Sequence, residues 1–440
     1  MNGKSSLDSL ENASFHDSLR LLTWNIEQSV RAFSGRIATI SPSEDSNLKN
    51  SAGPDFSSLD TETQRLRNEI ISYTQKLNTL VVGPRDSLKN FAWDSVSYIP
   101  LQAIVELKIA DAVPRYDMIT YQDLAQEIER ASGVNVPYLD LRRLLRLAMM
   151  HNLFREPKPN FVTHSTSSLM LLDDAGLASW VELFTTDFLR PISNTVPAMR
   201  KWPGSQEPNE TGINIVEGNS MPFFSFIQSD PIRAKRYDLA MKSHSDRDGF
   251  DLSHTVKGYP WAALGAARVV DLGGNQGYVS MALAEDFPSL SFIVQDKPEL
   301  RTETTIGKVP DHLAHRIQLT AHDCFNPQPE VADVYFFRHV FHAFSDKYAV
   351  AALKALVPAM RPGARVVVND YVLPVPRTLS YTEEKVVRTM DMLMKTVCNA
   401  RERELEDWEA LFQQADSRFK WKGGWKSSGK LWFLEVVWEE

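Results

Sequence analysis

The sequence predicts an α/β protein, with a doubly wound, mostly parallel sheet in its second half and a mostly helical first half. Three observations carry this. Residues 269–277, Val-Val-Asp-Leu-Gly-Gly-Asn-Gln-Gly, read as a buried strand ending in an acid and a glycine-rich turn, and 278–287 read as helix. Further apolar runs at 290–296, 316–320, 334–337 and 365–369 are separated by helix-length segments such as 347–360, the alternation that builds a parallel sheet. Before about residue 223, apolar residues recur mainly at the helical period. The expected architecture is Rossmann-like.

Taken in order, residues 1–90 read as a helical extension with a linker. Leu19, Leu22, Ile26, Val30 and Phe33 are spaced by three or four, and 41–58 is rich in Ser, Pro, Asp and Asn. A second stripe, Leu66, Ile70, Ile71, Tyr73, Leu77 and Leu80, predicts a helix over 60–82. Residues 91–205 read as a winged-helix-like dimerisation domain. Thr120 caps a helix over 120–128, a turn at 132–134 leads to a helix over 138–151, and a hairpin follows at 154–163. That unit has two readings. As a DNA reader it would present Arg142, Arg143 and Arg146; as a packing module it would bury Leu141, Leu144, Leu145 and Leu147. Asp123, Glu127, Glu129 and Asp140 offset the arginines, which favours packing. Residues 206–440 form the sheet domain, closed by two antiparallel strands at 419–425 and 430–438.

Composition narrows the class. The 440 residues carry a net charge of −8, which argues against polyanion binding as the main task. Two cysteines, Cys324 and Cys398, make no disulfide framework. Residues 1–20 do not resemble a signal peptide, and no run approaches the roughly 18 apolar residues of a membrane span. The expectation is a cytoplasmic protein with no membrane and no nucleic-acid partner.

The glycine turn narrows it further. Gly273, Gly274 and Gly277 do not spell the G-x-G-x-x-G of a nicotinamide site. With Asp271 ahead of them they fit the D-x-G-x-(G)-x-G turn of S-adenosylmethionine (SAM) methyltransferases, Asn275 standing where a middle glycine is usual and tolerating the left-handed backbone. Asp296 lies about 20 residues on, where such a unit grips ribose hydroxyls. At the end of the 334–337 strand, 338–346 reads Arg-His-Val-Phe-His-Ala-Phe-Ser-Asp, which places His342 where cofactor and substrate should meet. A histidine suits a general base because its ordinary pKa is about 6.5. His339, His342 and Asp346 also suggest a metal, but there is no H-E-x-x-H or cysteine pair and none is expected. Glu402 lies in the run Arg-Glu-Arg-Glu, which on composition alone is a solvated face.

The ordered set resembles the plant-type, caffeate-like SAM-dependent O-methyltransferases of the kind found in fungal secondary metabolism, over about residues 95–440. Residues 338–346 look like the family's K-x-x-x-H-D-W-S-D, Asp296-Lys-Pro like its D-L-P, and His322-Asp323-Cys324-Phe325 like its G-D-M-F. The resemblance implies His342 as general base, with Asp370 and Glu402 as its flanking carboxylates at 28 and 60 residues beyond it. It implies Asp323 at the adenine amine, Cys324 in place of a methionine, Arg338 in place of a lysine near the cofactor and Phe344 in place of a tryptophan beside the adenine. Met241 resembles a methionine that clamps an aromatic substrate, and the helical first half is expected to build a homodimer. Ala343 departs from the family's aspartate, and Asp370 is shorter than its glutamate. The implied activity is methylation of a hydroxyl on an aromatic or polyketide-like small molecule. The alternative is a SAM-bound relative that catalyses a pericyclic or dehydration reaction without transferring methyl; a non-enzymatic scaffold would need a dead cofactor pocket.

Overall fold

The computed structural model describes residues 13–40, 59–245, 249–297 and 309–440, so the linker expected at 41–58 lies outside the described residues. The chain divides into two compact units, Met1–Thr186 with Leu379–Thr382, and Asp187–Thr378 with Glu383–Glu440.

In the first unit, helices Phe15–Ile40 and Thr61–Trp93 pack against one another and bury Leu22 and Leu66. The Asp60 carboxylate caps the second, accepting from the amides of Glu62 and Thr63. Its regular part stops where the apolar stripe does. Gly83 has φ 75° and Pro84 follows, so the helix kinks there and continues. Next come helix Tyr121–Ser132, helix Tyr138–Met149 and a small antiparallel sheet of β1 (Ile119–Thr120), β2 (Arg155–Lys158) and β3 (Phe161–Thr163), in the order β1-β3-β2. Thr120 is the expected cap, its hydroxyl accepting from the Asp123 amide at 3.1 Å. Tyr121, Leu124, Ile128, Leu141, Leu145, Phe154 and Val162 form the core. Leu141 and Leu145 are thus packing residues. The arginines on that helix are occupied within the unit. Arg146 makes a two-pronged contact with Glu156 at 2.8 Å, Arg143 pairs with Asp140 and Arg142 donates to Asn160, so two of the three arginines are matched by a carboxylate of the same unit.

The second unit is built on a seven-stranded sheet: β4 (Arg268–Leu272), β5 (Ser291–Asp296), β6 (Ile317–Ala321), β7 (Val334–Arg338), β8 (Arg365–Asp370), β9 (Phe419–Lys426) and β10 (Trp432–Trp438). Its order is β6-β5-β4-β7-β8-β10-β9, parallel from β6 to β8 and antiparallel at β10 and β9. β4, β5, β7 and β8 are buried on both faces, while the edge strand β6 leaves Gln318 and Ala321 exposed. Val270, Leu272, Phe337 and Val368 join Trp408 and Phe412 in one core, while Val269, Phe292, Phe336 and Val367 join Trp261 and Leu283 in the other. The chain runs outward from β4 to β6, then crosses back to β7, so strand order reverses between β4 and β7. Ligands bind at the carboxyl ends beside such a switch point. Gly423 and Gly424 lie inside β9 rather than at its turn; a Cβ on Gly424 would stand 2.6 Å from Leu405.

Candidate active site

The turn after β4 is shaped by close approach. Gly273, Asn275 and Gly277 have φ of 74°, 46° and 83°, so Asn275 takes the left-handed conformation that asparagine tolerates. A Cβ on Gly273 would sit 2.7 Å from Val340, and one on Gly274 2.6 Å from Val294 and 2.7 Å from the Asp271 carboxylate. The amides of Gly273 and Gly274 both donate to the Gln295 carbonyl. Asp271 is buried and accepts the Ser280 hydroxyl at 2.6 Å, joining the strand to helix Tyr278–Asp286. The Asp296 carboxylate accepts from the amides of Asn275 and Lys297, both at 2.8 Å. The acid expected at the ribose is therefore fixed against the turn, and each oxygen keeps acceptor capacity.

The neighbouring rim residues assemble beside it. The His322 amide donates to the Asp296 carbonyl at 2.8 Å, and Asp323 accepts from the Phe325 amide. Cys324, Phe325 and Phe344 pack against the core, with the Phe325 and Phe344 rings 5.1 Å apart. Burial pushes the Cys324 thiol up to about 12, so it is neutral there. A tight turn with three left-handed positions after β4, an acid about 20 residues on with acceptor capacity to spare, and Asp323 beside the apolar side chains of Cys324, Phe325 and Phe344 fit a SAM-like ligand. Arg338 sits less simply. Its guanidinium donates to the Thr255 hydroxyl at 3.1 Å and the Phe250 carbonyl at 2.7 Å, which ties β7 to 250–255.

His342 lies on a short 3-10 turn, Phe341–Ala343, directly after β7. Its Nδ1 stands 3.4 Å from Oε1 of Glu402, long and misaligned for a hydrogen bond. Glu402 is completely buried, whereas the His342 side chain keeps 16% exposure. Asp370, at the end of β8, holds the turn through the backbone: Oδ2 accepts from the His342 amide at 3.1 Å and Oδ1 from the Tyr371 amide at 2.9 Å. A ring nitrogen of His342 and a carboxylate oxygen each of Asp370 and Glu402 lie within 4.8 Å of one another.

Burial opposes a charge on His342, but the Asp370 carboxylate, followed by Glu402, outweighs it and raises its pKa above the ordinary value. Burial lifts the Glu402 carboxyl to about 7, against the pull of His342. The two groups therefore compete for a proton near neutrality. His339, at φ 54°, stacks on Tyr371 with ring centres 5.5 Å apart, and burial holds it well below the usual histidine range, so it is neutral. Asp346 does not face the histidines; it pairs with Arg401 and Arg403. Met241 is half-buried on helix Pro231–Ser245, three residues ahead of His244, whose ring lies 4.4 Å from Phe250; Phe250 in turn lies 5.6 Å from His339.

The O-methyltransferase domain model matches residues 206–418. The chain is 35% identical to the grayanic acid biosynthesis cluster O-methyltransferase of Cladonia grayi over 88% of its own length and 81% of that protein. The chain belongs to the O-methyltransferase family. It is also 35% identical to the chlorophenol O-methyltransferase of Trichoderma longibrachiatum, over 90% and 85% of the two chains. OxaC in complex with SAH and oxaline has the same fold, with a TM-score of 0.73 at 19% identity over 97% of this chain and 100% of that one. This is a SAM-dependent O-methyltransferase, as the turn and the 338–346 stretch lead one to expect. Among the described residues no helix is long and apolar enough to cross a membrane.

Arg403, Tyr371 and His339 surround His342 without having been singled out for that place by the sequence. Arg403 sits in a charged run and is fully buried. Its only signal in the sequence is adjacency to Glu402.

Proposed function

We propose that this O-methyltransferase methylates a hydroxyl of an aromatic or polyketide-like small molecule, with His342 as the general base. The observation that carries the reading is a buried carboxylate behind Nδ1 of a histidine that remains partly open, at the carboxyl ends of β7 and β8. Bound SAM would supply an electrophilic methyl group on a sulfonium, leaving the neutral thioether of S-adenosylhomocysteine. The protein aligns the acceptor oxygen and takes its proton on Nε2 as the O–C bond forms and the C–S bond breaks. Glu402 at Nδ1 then stabilises the resulting imidazolium, and Asp370 fixes the turn through the His342 amide. The 273–277 turn, Asp271, Asp296, Asp323, Cys324 and Phe344 hold the cofactor, Arg338 braces the rim, and Met241 contacts the acceptor. Relatives named for grayanic acid biosynthesis and for chlorophenol support a hydroxylated aromatic acceptor.

The pericyclic or dehydrating alternative would not need a general base aligned on the methyl group. The His342–Glu402 pair favours transfer. Mass spectrometry with methyl-labelled SAM and a panel of hydroxylated aromatics tests both. Label on an acceptor with wild type and not with His342→Ala supports transfer. Product without label overturns it.

The same reading includes a homodimer in the cytoplasm. The helix ending at Trp93 presents Leu88, Phe91 and Trp93, the last two 78% and 72% exposed, and lone monomers rarely leave such a patch to water. Both cysteines are free, in keeping with a reducing compartment. Light scattering after chromatography checks the dimer: Phe91→Ser with Trp93→Ser should halve the mass.

A further inference from the structure

Residues 401–403 hold the turn that carries His342 from below. The guanidinium of Arg403, fully buried, donates from Nε to Asp346 at 2.9 Å, from Nη1 to the Phe341 carbonyl at 3.0 Å and from Nη2 to the Phe344 carbonyl at 2.7 Å. Those two carbonyls bracket His342. Arg401 reaches the same Asp346 through Nε at 3.1 Å and Nη2 at 3.0 Å. Between the two arginines, Glu402 faces His342, and its own amide is held by Asp391 at 2.8 Å. One three-residue segment thus delivers the carboxylate to Nδ1 and fastens the backbone on both sides of the imidazole.

We propose that Arg403 is a positioning residue for the base, setting both the geometry of His342 and the pH at which it becomes available. The inference rests on the reading of His342 as base and adds how that base is held. The geometric part follows from the fork. Three donors in a rigid plane on two carbonyls and a carboxylate leave the turn no freedom to slide, and a displacement of about 1 Å at a reacting group can cost on the order of 10²-fold in rate. A lysine has the charge but not the fork.

The charge part follows from what surrounds His342. Asp370 and the phenol of Tyr371 face it from the end of β8, and Glu402 and Arg403 from the segment before helix Leu405–Ala415. Neutral His339 faces it from its own turn, with ring centres 5.4 Å apart. Of the cations, Arg338 at the end of β7 acts on Asp370, Tyr371 and His339, while Arg403 acts on His342 itself, against the imidazolium and for the Glu402 carboxylate. Without it, His342 holds its proton to higher pH.

The test uses full-length protein with ring-labelled histidine, His342 being assigned in NMR spectra by its loss in His342→Ala. In Arg403→Met the His342 titration should move up, whereas in Arg403→Lys it should stay near wild type. Methyl transfer to a chlorinated phenol should fall about 10²-fold in kcat for Arg403→Lys, with the affinity for SAH kept, and Asp346→Asn, which loosens the fork from the other side, should lose rate likewise. Buried arginine variants can misfold, so Asp346→Asn and SAH calorimetry on each protein serve as the check. An unmoved titration in folded Arg403→Met, or wild-type kcat in both Arg403→Lys and Asp346→Asn, overturns the inference while leaving the base reading intact. Full turnover in His342→Ala overturns the base reading and this inference with it.

Discussion

The turn after β4 and the nest around His342 share one rim of the sheet, yet they treat polar atoms in opposite ways. In the turn, Asp271 has the Ser280 hydroxyl, both oxygens of Asp296 have backbone amides, and the amides of Gly273 and Gly274 close on Gln295. In the nest, Nδ1 of His342, both oxygens of Glu402, the Tyr371 hydroxyl and Nε2 of His339 are buried without a hydrogen-bond partner. A buried polar atom without a partner costs about 1–3 kcal/mol. The comparison teaches that the polar atoms of the turn are satisfied within the protein, whereas those of the nest are left unspent, which fits the proton transfer proposed for His342.

The sharpest way to break that contrast is His342→Ala. If the two regions are independent in this sense, transfer falls by about 10²–10⁴ while SAH binds as in wild type. Calorimetry alongside the label assay separates the two, and a lost affinity would mean that the nest also builds the cofactor site. Next in size is Glu402→Gln, which keeps the shape and removes the charge. Turnover should fall by on the order of tenfold to a hundredfold. The pH profile should also respond. Only neutral His342 accepts a proton and its pKa is raised, so wild-type turnover drops as pH falls through a point above about 6.5. Removing the Glu402 anion lowers that point, and kcat/KM measured against pH reads the direction; an upward move would contradict the assignment.

On the other side of the comparison, Gly274→Ala places a Cβ 2.6 Å from Val294 and 2.7 Å from the Asp271 carboxylate. It should cost about 1–3 kcal/mol in denaturant unfolding and weaken SAH binding with it; unchanged stability would show that the turn yields easily. The smallest effect belongs to Cys324→Met. It adds two carbons of apolar contact beside Phe325 and Phe344 at roughly 0.8 kcal/mol each if fully buried, so SAH affinity should rise by no more than about 15-fold.

Much of this was legible in the chain. The strand-acid-glycine pattern located the turn, including the left-handed Asn275, and the apolar runs gave the parallel strands close to their limits. The helix expected over 60–82 ends where the long helix kinks at Gly83. The charged run 401–404 was the least readable part. Composition describes it as a solvated face, yet Glu402 and Arg403 are among the most deeply buried residues, because each is neutralised by a partner far away in sequence, His342 and Asp346. Arg338 shows the same limit: the sequence sets it at the end of a strand, and the structure turns its guanidinium onto Thr255 and the Phe250 carbonyl.

Local sequence determined what local physics governs: strand and helix periods, the φ > 0 positions of the turn, the Thr120 cap and the lack of a long apolar span. Tertiary structure alone decided which charges are buried together, how Asp370 grips His342 through its amide and not its ring, and why Arg403 lies beneath His342. Those outcomes depend on desolvation and on partners 28 to 62 residues apart, and no short window of sequence contains both halves of such a pair.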